Sequence, residues 1–496
     1  MTVRVRFAPS PTGHPHIGNI RTVVFNWLYA RKHGGKFVLR IEDTDRTRYV
    51  PDALQVIMDS LRWLGMDWDE GPEAGGDFGP YIQSDRLALY KAKAEELIER
   101  GWAYRCNCSP ERLEEVRQLQ TARGLPPMYD RHCRELPANT ISKSEPHVIR
   151  LKIPQEGTTV VHDLLKGDIA FENRLLDDQV LLKTDGFPTY HLAVVVDDHM
   201  MEISHVIRAD EWLPSTPKHV LLYQAFGWEP PVFAHVPLVM GPDGKKLSKR
   251  HGATNIDEFR KQGYVPEALF NFLSLLGWAP GEGSEQEIFS RQELSEKFEL
   301  ERVNLAPAVF SYDKLNWMNG EYIRRMSQEK LLVYLLPFWQ EAGLIPVPAP
   351  AEVMDTLKKL IPLVQERIQL LKDVVPLTDF VFTDIETPAP EELVGKKMTP
   401  QQSLEGLRKS REVLATLLPF DAETMETPMR ALADDLGLKP GQLFSVLRMA
   451  VTGKAVTPPL FGSIEVLGRV VALQRIARAE KALTQWIEEQ KAVPAA

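Results

Sequence analysis

Along the first hundred residues the spacing of apolar positions switches back and forth between two periods. Val3, Val5 and Phe7 alternate with Arg4 and Arg6, then meet Pro9-Ser10-Pro11-Thr12-Gly13, which predicts a strand ending in a loop. Between Asn19 and Lys32 the apolar residues Ile20, Val23, Val24, Trp27 and Leu28 take helical spacing, and Gly34-Gly35 supplies a stop. Phe37–Ile41 predicts a second short strand, followed by the acidic turn Glu42-Asp43-Thr44-Asp45, and Asp52–Leu64 and Asp85–Arg100 predict helices. Strand, helix, strand, helix is the pattern of a parallel sheet with covered faces, an α/β N-terminal half.

From about Ala103 to Gly186 that rhythm breaks. The stretch holds the cysteines, a polar helix at Pro110–Ala122 and β-like pieces such as Val148–Ile153, and is expected to be an α+β insertion. The apolar runs Tyr190–Val196 and Glu202–Ile207 predict strands, and Thr216–Phe226 a helix. Beyond about Met326 the pattern is helical almost throughout, with loops rich in proline at Pro346–Pro350, Pro388–Pro390 and Pro458-Pro459. The expected segments are therefore 1–102 and 187–240 as two halves of one catalytic domain, 103–186 inserted between them, 241–325 following, and an all-α 326–496.

A chain of 496 residues exceeds what one hydrophobic core usually serves, which agrees with several domains. No apolar run approaches the length of a membrane span, and Arg4 and Arg6 interrupt any export-signal pattern. Three cysteines do not make a disulfide framework, so a reducing, cytoplasmic setting is expected. The net charge of −9 argues against a nucleic-acid partner only if charge is spread evenly, and it is not. Residues 1–50 hold nine Lys/Arg against three acids, and 245–252 (KKLSKRHG) hold four cations and no acid. Screening confines a field to about 8–10 Å, so such patches can bind a polyanion on an acidic protein.

Two of these basic segments carry chemistry. A strand running into a glycine-containing loop and then a helix points backbone N–H groups at whatever lies above the loop, and His16 adds a donor without a permanent charge. Further on, Gly241-Pro-Asp-Gly-Lys-Lys-Leu-Ser-Lys-Arg250 places cations and a hydroxyl on a mobile turn, where a lysine can stabilise charge on a departing pyrophosphate. Neither segment has the spacing of a Walker loop.

Taken in this order, Pro9–Asn19 (PSPTGHPHIGN) and Lys246–Arg250 (KLSKR) resemble the paired ATP-handling elements of class I aminoacyl-tRNA synthetases. Asn19 stands at the second histidine of the first element, and Leu247 and Arg250 replace methionine and serine in the second. The match to bacterial-type glutamyl-tRNA synthetases runs end to end through Arg40–Arg46 (RIEDTDR), Pro188–His199 (PTYHLAVVVDDH), His205–Trp212 (HVIRADEW) and Leu315–Gly320 (LNWMNG). The resemblance implies a Rossmann-like class I catalytic domain, an inserted connective domain for the acceptor end, a stem-contact region with the KLSKR loop, and an α-helical anticodon-binding region. It implies ATP with Mg²⁺, L-glutamate and tRNA(Glu) as substrates and a monomer as the working form.

By the same match, His16 and Lys249 are the catalytic residues, and Ala8, His16, Gly18, Asn19, Lys246, Ser248 and Lys249 contact ATP. Arg6, Ser10, Glu42, Tyr190 and Arg208 contact the amino acid. Their chemistry suits this, since a guanidinium fork accepts two carboxylate oxygens in one plane and Glu42 can meet an α-ammonium. Arg208 is the informative position, because glutaminyl relatives carry an uncharged residue there. Asp197-Asp198 are read as structural.

Cys106, Cys108 and Cys133 are able to bind zinc as thiolates, with a fourth ligand from Glu135, His132 or Tyr129. The resemblance favours Glu135, where some relatives have histidine. On the anticodon side, Arg367 stands where discriminating relatives keep an arginine facing the last anticodon base, and Thr452 lies in another matching segment. Three other readings remain open: a nondiscriminating form that also charges tRNA(Gln), a short glutamyl-queuosine-type modifier, and an inactive synthetase-like RNA-binding module.

Overall fold

The structure, a computed structural model, describes residues 2–137, 140–281 and 283–492, without the side chains of Lys249, Lys491 and Ala492. It divides into two compact units, Met1–Arg260 with Pro266–Tyr312, and Lys261–Val265 with Asp313–Ala496. The division falls within the segment assigned above to 241–325.

In the first unit the elements run β1 (Arg4–Phe7), α1 (Ile17–Lys32), β2 (Lys36–Leu39), α2 (Ala53–Trp63), α3 (Leu87–Glu99), β3 (Ala103–Cys106), α4 (Pro110–Ala122), β4 (Val148–Leu151), β5 (Thr158–Asp163), β6 (Gly167–Glu172) and β7 (Val180–Leu182). They continue with α5 (Tyr190–Met200), β8 (His205–Ala209), α6 (Thr216–Phe226), β9 (Val232–Val236), β10 (Val239–Met240), α7 (Ile256–Gln262), α8 (Pro266–Leu275), α9 (Arg291–Lys297) and β11 (Ala308–Val309).

β1 and β2 are parallel, and α1 is the crossover that a parallel pair requires. At the other side of β1, Ser204 N–H donates to Arg4 O at 2.9 Å, which brings β8 alongside, and β8 pairs in parallel with β9. Val5, Phe37, Val38, Leu39, Val206, Ile207 and Ala234 are all buried, as strands covered on both faces should be. α1 packs on β1 and β8 from one side and on α8 and α9 from the other.

The Tyr190–Val196 run is a correction. It opens helix α5 instead of forming a strand, and Leu192 to Asp198 are all buried. A helix enclosed on every side reads as a continuous apolar run, which spacing alone does not separate from a buried strand. The second run begins its strand later, at His205.

The inserted stretch is not one separate lobe. β3, β4 and β7 form an antiparallel sheet of their own, whereas β5 and β6 extend the catalytic sheet in the order β6-β5-β9-β8, with Asp163 paired to Phe233. Ile149, Leu151 and Leu181 share a core with Val194, Leu222 and Phe233.

The second unit is helical among its described residues: α10 (Tyr312–Arg325), α11 (Gln328–Glu341), α12 (Ala351–Val364), α13 (Val374–Phe382), α14 (Pro400–Thr416), α15 (Ala422–Asp435), α16 (Pro440–Thr452) and α17 (Leu460–Ala492). Gly468 breaks α17 with φ 77° and ψ 157°, values that suit only glycine. Leu407, Met425, Leu447, Ile464 and Ile476 form its core. Among the described residues no helix is long and apolar enough to cross a membrane.

Candidate active site

At the C-terminal ends of β1 and β8 the chain turns outward, through Ala8–Pro15 after β1 and through a tight turn at Asp210–Ser215 after β8. Between these turns lies a cavity of about 390 Å³ lined by Arg6, Ala8, Ser10, His16, Asn19, Glu42, Tyr190, Arg208, Glu211 and Trp212, among others. Crevices beyond the carboxyl ends of parallel strands are the usual ligand sites of open α/β sheets. Eight residues singled out from sequence thus come together, from positions 6 to 208.

At one end of the cavity stands the N-terminus of α1. His16 caps α1, its Nδ1 accepting Gly18 N–H at 3.1 Å, so the neutral ring carries its proton on Nε2. A Cβ at Gly18 would sit 3.3 Å from that Nδ1 and press on the cap. Burial pulls the imidazole below its ordinary value and Lys246 adds to this, against a backbone hydrogen bond with Leu247 and the charge of Glu211. The basic loop reaches this point because Ile17 N–H donates to Thr254 O at 2.7 Å, next to a bridge between His16 and Asn255.

Within the loop, Lys246 Nζ pairs with Glu211 at 2.5 Å, and both side chains are exposed. Leu247 is buried, which accounts for an apolar residue between two polar ones. Ser248 N–H donates to His251 Nδ1 at 3.1 Å, and Asp243 holds Arg250 at 3.1 Å. Gly18, Lys246 and Ser248 do not line the cavity itself. Lys249 opens the short turn Lys249–His251, and the side chain singled out from sequence lies outside the described residues.

The other end is a buried ion cluster. Arg40, with no exposed surface, reaches Asp198 at 2.7 Å and Glu42 at 2.9 Å. Arg6 meets the same Asp198 through Nε at 3.1 Å and Nη2 at 3.3 Å. Asp197 collects Arg86 Nε, Gln83 and Tyr90, each at 2.8 Å. Burial pushes the Glu42 carboxyl up, while Arg40 and Arg6 pull it back. Burial works the same way on Asp198, but there Arg6 and Arg40 prevail and the carboxyl is held below its ordinary value.

Arg208 differs from its neighbours. Its nitrogens donate to Thr216 Oγ1 at 2.8 Å, Tyr190 Oη at 3.0 Å and His235 Nε2 at 3.0 Å, all neutral acceptors. Among the described residues no carboxylate lies within ion-pair distance of it, although it is almost wholly buried. Burial lowers its proton affinity, the direction expected for a cation lacking a counter-ion. The Tyr190 and Trp212 rings lie tilted to one another with centroids 4.8 Å apart, and both line the cavity.

Sequence reasoning passed over Arg40, Glu211, Trp212 and two partners of Arg208, Thr216 and His235. Arg40, Glu211 and Trp212 stood inside quoted motifs, so adjacency was a usable signal. His235 and Thr216 carried none.

Away from the cavity, the Sγ atoms of Cys106, Cys108 and Cys133 lie within 4.8 Å of one another. Tyr129 Oη stands 3.3 Å from Cys106 Sγ and 3.5 Å from Cys108 Sγ, and it accepts Cys133 N–H at 2.9 Å. Glu135 is outside this group; its carboxylate is 74% exposed and turned to Arg134 at 3.3 Å and Lys152 at 3.7 Å. In the second unit Arg367 is exposed. Thr452 is buried, and its hydroxyl donates to Arg448 O at 2.8 Å at the end of α16.

Residues 2–317 match the family described as tRNA synthetases class I (E and Q), catalytic domain, and residues 330–480 match an anticodon binding domain. A glutamate–tRNA ligase of Dehalococcoides mccartyi is 53% identical over 483 residues, covering 97% of this chain and 99% of that protein. One from Treponema denticola is 46% identical, covering 97% and 99%. Among solved structures, a glutamate tRNA ligase from Elizabethkingia meningosepticum in complex with its amino acid superposes with a TM-score of 0.87 at 35% identity, covering 97% of this chain and 100% of that one. With a catalytic-domain match over most of its length and relatives this similar from end to end, the chain belongs to the glutamyl/glutaminyl branch of the class I tRNA synthetases.

Proposed function

We propose that this chain is a glutamate–tRNA ligase. It joins L-glutamate to ATP, forming glutamyl-adenylate and releasing pyrophosphate, then transfers glutamate to the terminal ribose of tRNA(Glu). The observation that carries the reading is Arg208, a buried guanidinium bonded only to neutral groups in a cavity whose other buried arginine, Arg6, is paired with a carboxylate, as is Arg40 behind it. A side-chain carboxylate completes it. Glutamine would leave the cation partly unpaired, and that desolvation penalty is the source of selectivity.

In the first step the α-carboxylate of glutamate attacks the α-phosphorus of ATP. The nucleophile is already an anion, so the site supplies position and charge and needs no base. Glu42 receives the α-ammonium, and Arg6, Ser10 and Tyr190 orient the carboxylates. His16 Nε2–H, Lys246 and Lys249 are assigned to the phosphates, together with Ala8, Gly18, Asn19 and Ser248. Mg²⁺ travels with ATP and neutralises the leaving pyrophosphate.

The thiols of Cys106, Cys108 and Cys133 with the Tyr129 oxygen form a donor set that suits zinc, and Arg150 stacked 3.9 Å over the Tyr129 ring balances their charge. Zinc would hold the inserted segment together there and take no part in the reaction. The helical unit reads the anticodon, with exposed Arg367 against a base and Thr452 shaping the end of α16. The working form is a cytoplasmic monomer.

Charging assays with purified tRNA(Glu) and tRNA(Gln) test the reading. Glutamylation of tRNA(Glu) alone is expected. Charging of both tRNAs would establish the nondiscriminating form, and no adenylate formation at all would leave the inactive module.

A further inference from the structure

Arg208 must hold one orientation at the bottom of the cavity without any carboxylate to fix it. What fixes it lies behind it, on the neighbouring strand. Arg208 and His235 are register partners on β8 and β9, and Arg208 Nε–H donates to His235 Nε2 at 3.0 Å. A guanidinium has no acceptor atom, so His235 must present a lone pair at Nε2 and carry its proton at Nδ1.

Nδ1 in turn lies 2.6 Å from Asp163 Oδ2, which also accepts the His235 backbone N–H at 3.1 Å. The other oxygen, Oδ1, accepts the N–H groups of Leu165 and Lys166, both at 3.0 Å. Both side chains of the Asp163–His235 pair are wholly buried. Asp163 is therefore clamped by four N–H groups and admits a single imidazole tautomer. It comes from β5, the strand by which the inserted segment joins the catalytic sheet.

We propose that His235 and Asp163 are positioning residues for Arg208, holding its fork toward the substrate carboxylate through a neutral imidazole protonated at Nδ1. The assignment rests on reading Arg208 as the residue that binds the glutamate side chain. It also gives the cation a remote negative charge, one ring away, that does not compete with substrate for the nitrogens facing the cavity. With the proton on Nε2 instead, two N–H groups would face each other and Arg208 would be pushed from its place.

Three full-length variants test this in ATP–pyrophosphate exchange with tRNA(Glu) present. His235→Asn keeps a donor for Asp163 but removes the acceptor for Arg208. His235→Gln restores an acceptor at the Nε2 position. In Asp163→Asn the amide oxygen satisfies the Leu165 and Lys166 N–H groups, so its NH₂ faces the ring and forces the wrong tautomer.

Loss of one hydrogen bond to a charged group predicts that His235→Asn and Asp163→Asn raise the KM for glutamate about 10-fold to 100-fold. The KM for ATP should stay within about twofold, and His235→Gln should recover most of the loss. An unchanged glutamate KM in folded His235→Asn, or an equal rise in the ATP KM, overturns the assignment. The tautomer itself is read on the unaltered protein by ¹⁵N-histidine NMR, assigned with the His235→Gln spectrum. A proton at Nδ1 supports the proposal, and one at Nε2 or an imidazolium near neutral pH contradicts it. If the unaltered protein shows no glutamate-dependent exchange, the reading of Arg208 fails, and the NMR result still decides whether the ring is held as described.

Discussion

The two ends of the cavity are built on opposite principles. At the amino-acid end, Arg6, Arg40, Glu42 and Asp198 are buried and bonded to one another before any ligand arrives. At the phosphate end, Lys246 and Glu211 are exposed, and the loop that carries Lys246 is held by a few turn bonds. A small carboxylate substrate must be told from its amide, which requires fixed, dehydrated partners. A triphosphate offers many charges and needs only mobile cations that can follow it as pyrophosphate leaves. In the proposed reading, specificity is therefore stored in rigidity at one end, and turnover in looseness at the other.

Breaking the rigid end should cost the most. Arg40→Ala strands Glu42 as a buried carboxylate and leaves Asp198 with Arg6 alone, and loss of one partner of a buried pair costs about 3–5 kcal/mol. Urea unfolding should show that loss together with abolished exchange activity. A stable Arg40→Ala protein would mean the cluster relaxes freely, and the contrast between the two ends would weaken.

The loose end should respond in rate with little change in stability. The Lys246–Glu211 pair is exposed, so Lys246→Ala should shift stability by no more than about 1 kcal/mol. If Lys246 meets the phosphates as proposed, kcat/KM for ATP should fall about 10-fold to 100-fold with the KM for glutamate nearly unchanged. Stopped-flow or exchange kinetics at varied ATP separates the two constants.

The smallest effect concerns acid. Burial pulls the His191 imidazole down to about 3, with help from Lys218 and Arg208. Between roughly pH 6.5 and 3 the unfolded chain binds that proton and the folded chain does not, so stability must fall as pH falls through this window. His191→Gln should remove up to one proton from the slope, about 1.4 kcal/mol per pH unit, as read from urea midpoints at pH 7 and pH 5. An unchanged slope would show that His191 is protonated in the fold.

Much of this was legible in the chain, for identifiable reasons. His16, Gly18 and the KLSKR loop each lie in one short stretch of sequence, so spacing alone singled them out. Arg208 and Tyr190 were legible through their motifs, although their meeting across 18 positions depended on a helix that the Tyr190–Val196 pattern represented as a strand. His235 and Asp163 were invisible, being 72 positions apart on strands with ordinary patterns. The cysteines announced themselves, but spacing alone could not separate Tyr129, whose hydroxyl lies beside Cys106 and Cys108, from His132 and Glu135.

The central claim is that a buried arginine without a carboxylate partner selects glutamate. It is tested most directly by comparing kcat/KM for glutamate and for glutamine in the unaltered protein and in Arg208→Gln, by exchange in the presence of tRNA(Glu). Loss of two charge-assisted hydrogen bonds predicts a fall of about 10²-fold to 10⁴-fold for glutamate, no parallel fall for glutamine, and a smaller loss of stability than Arg40→Ala, since no buried carboxylate is orphaned. Comparable use of glutamine by the unaltered protein, or glutamate activity surviving in Arg208→Gln, would contradict it.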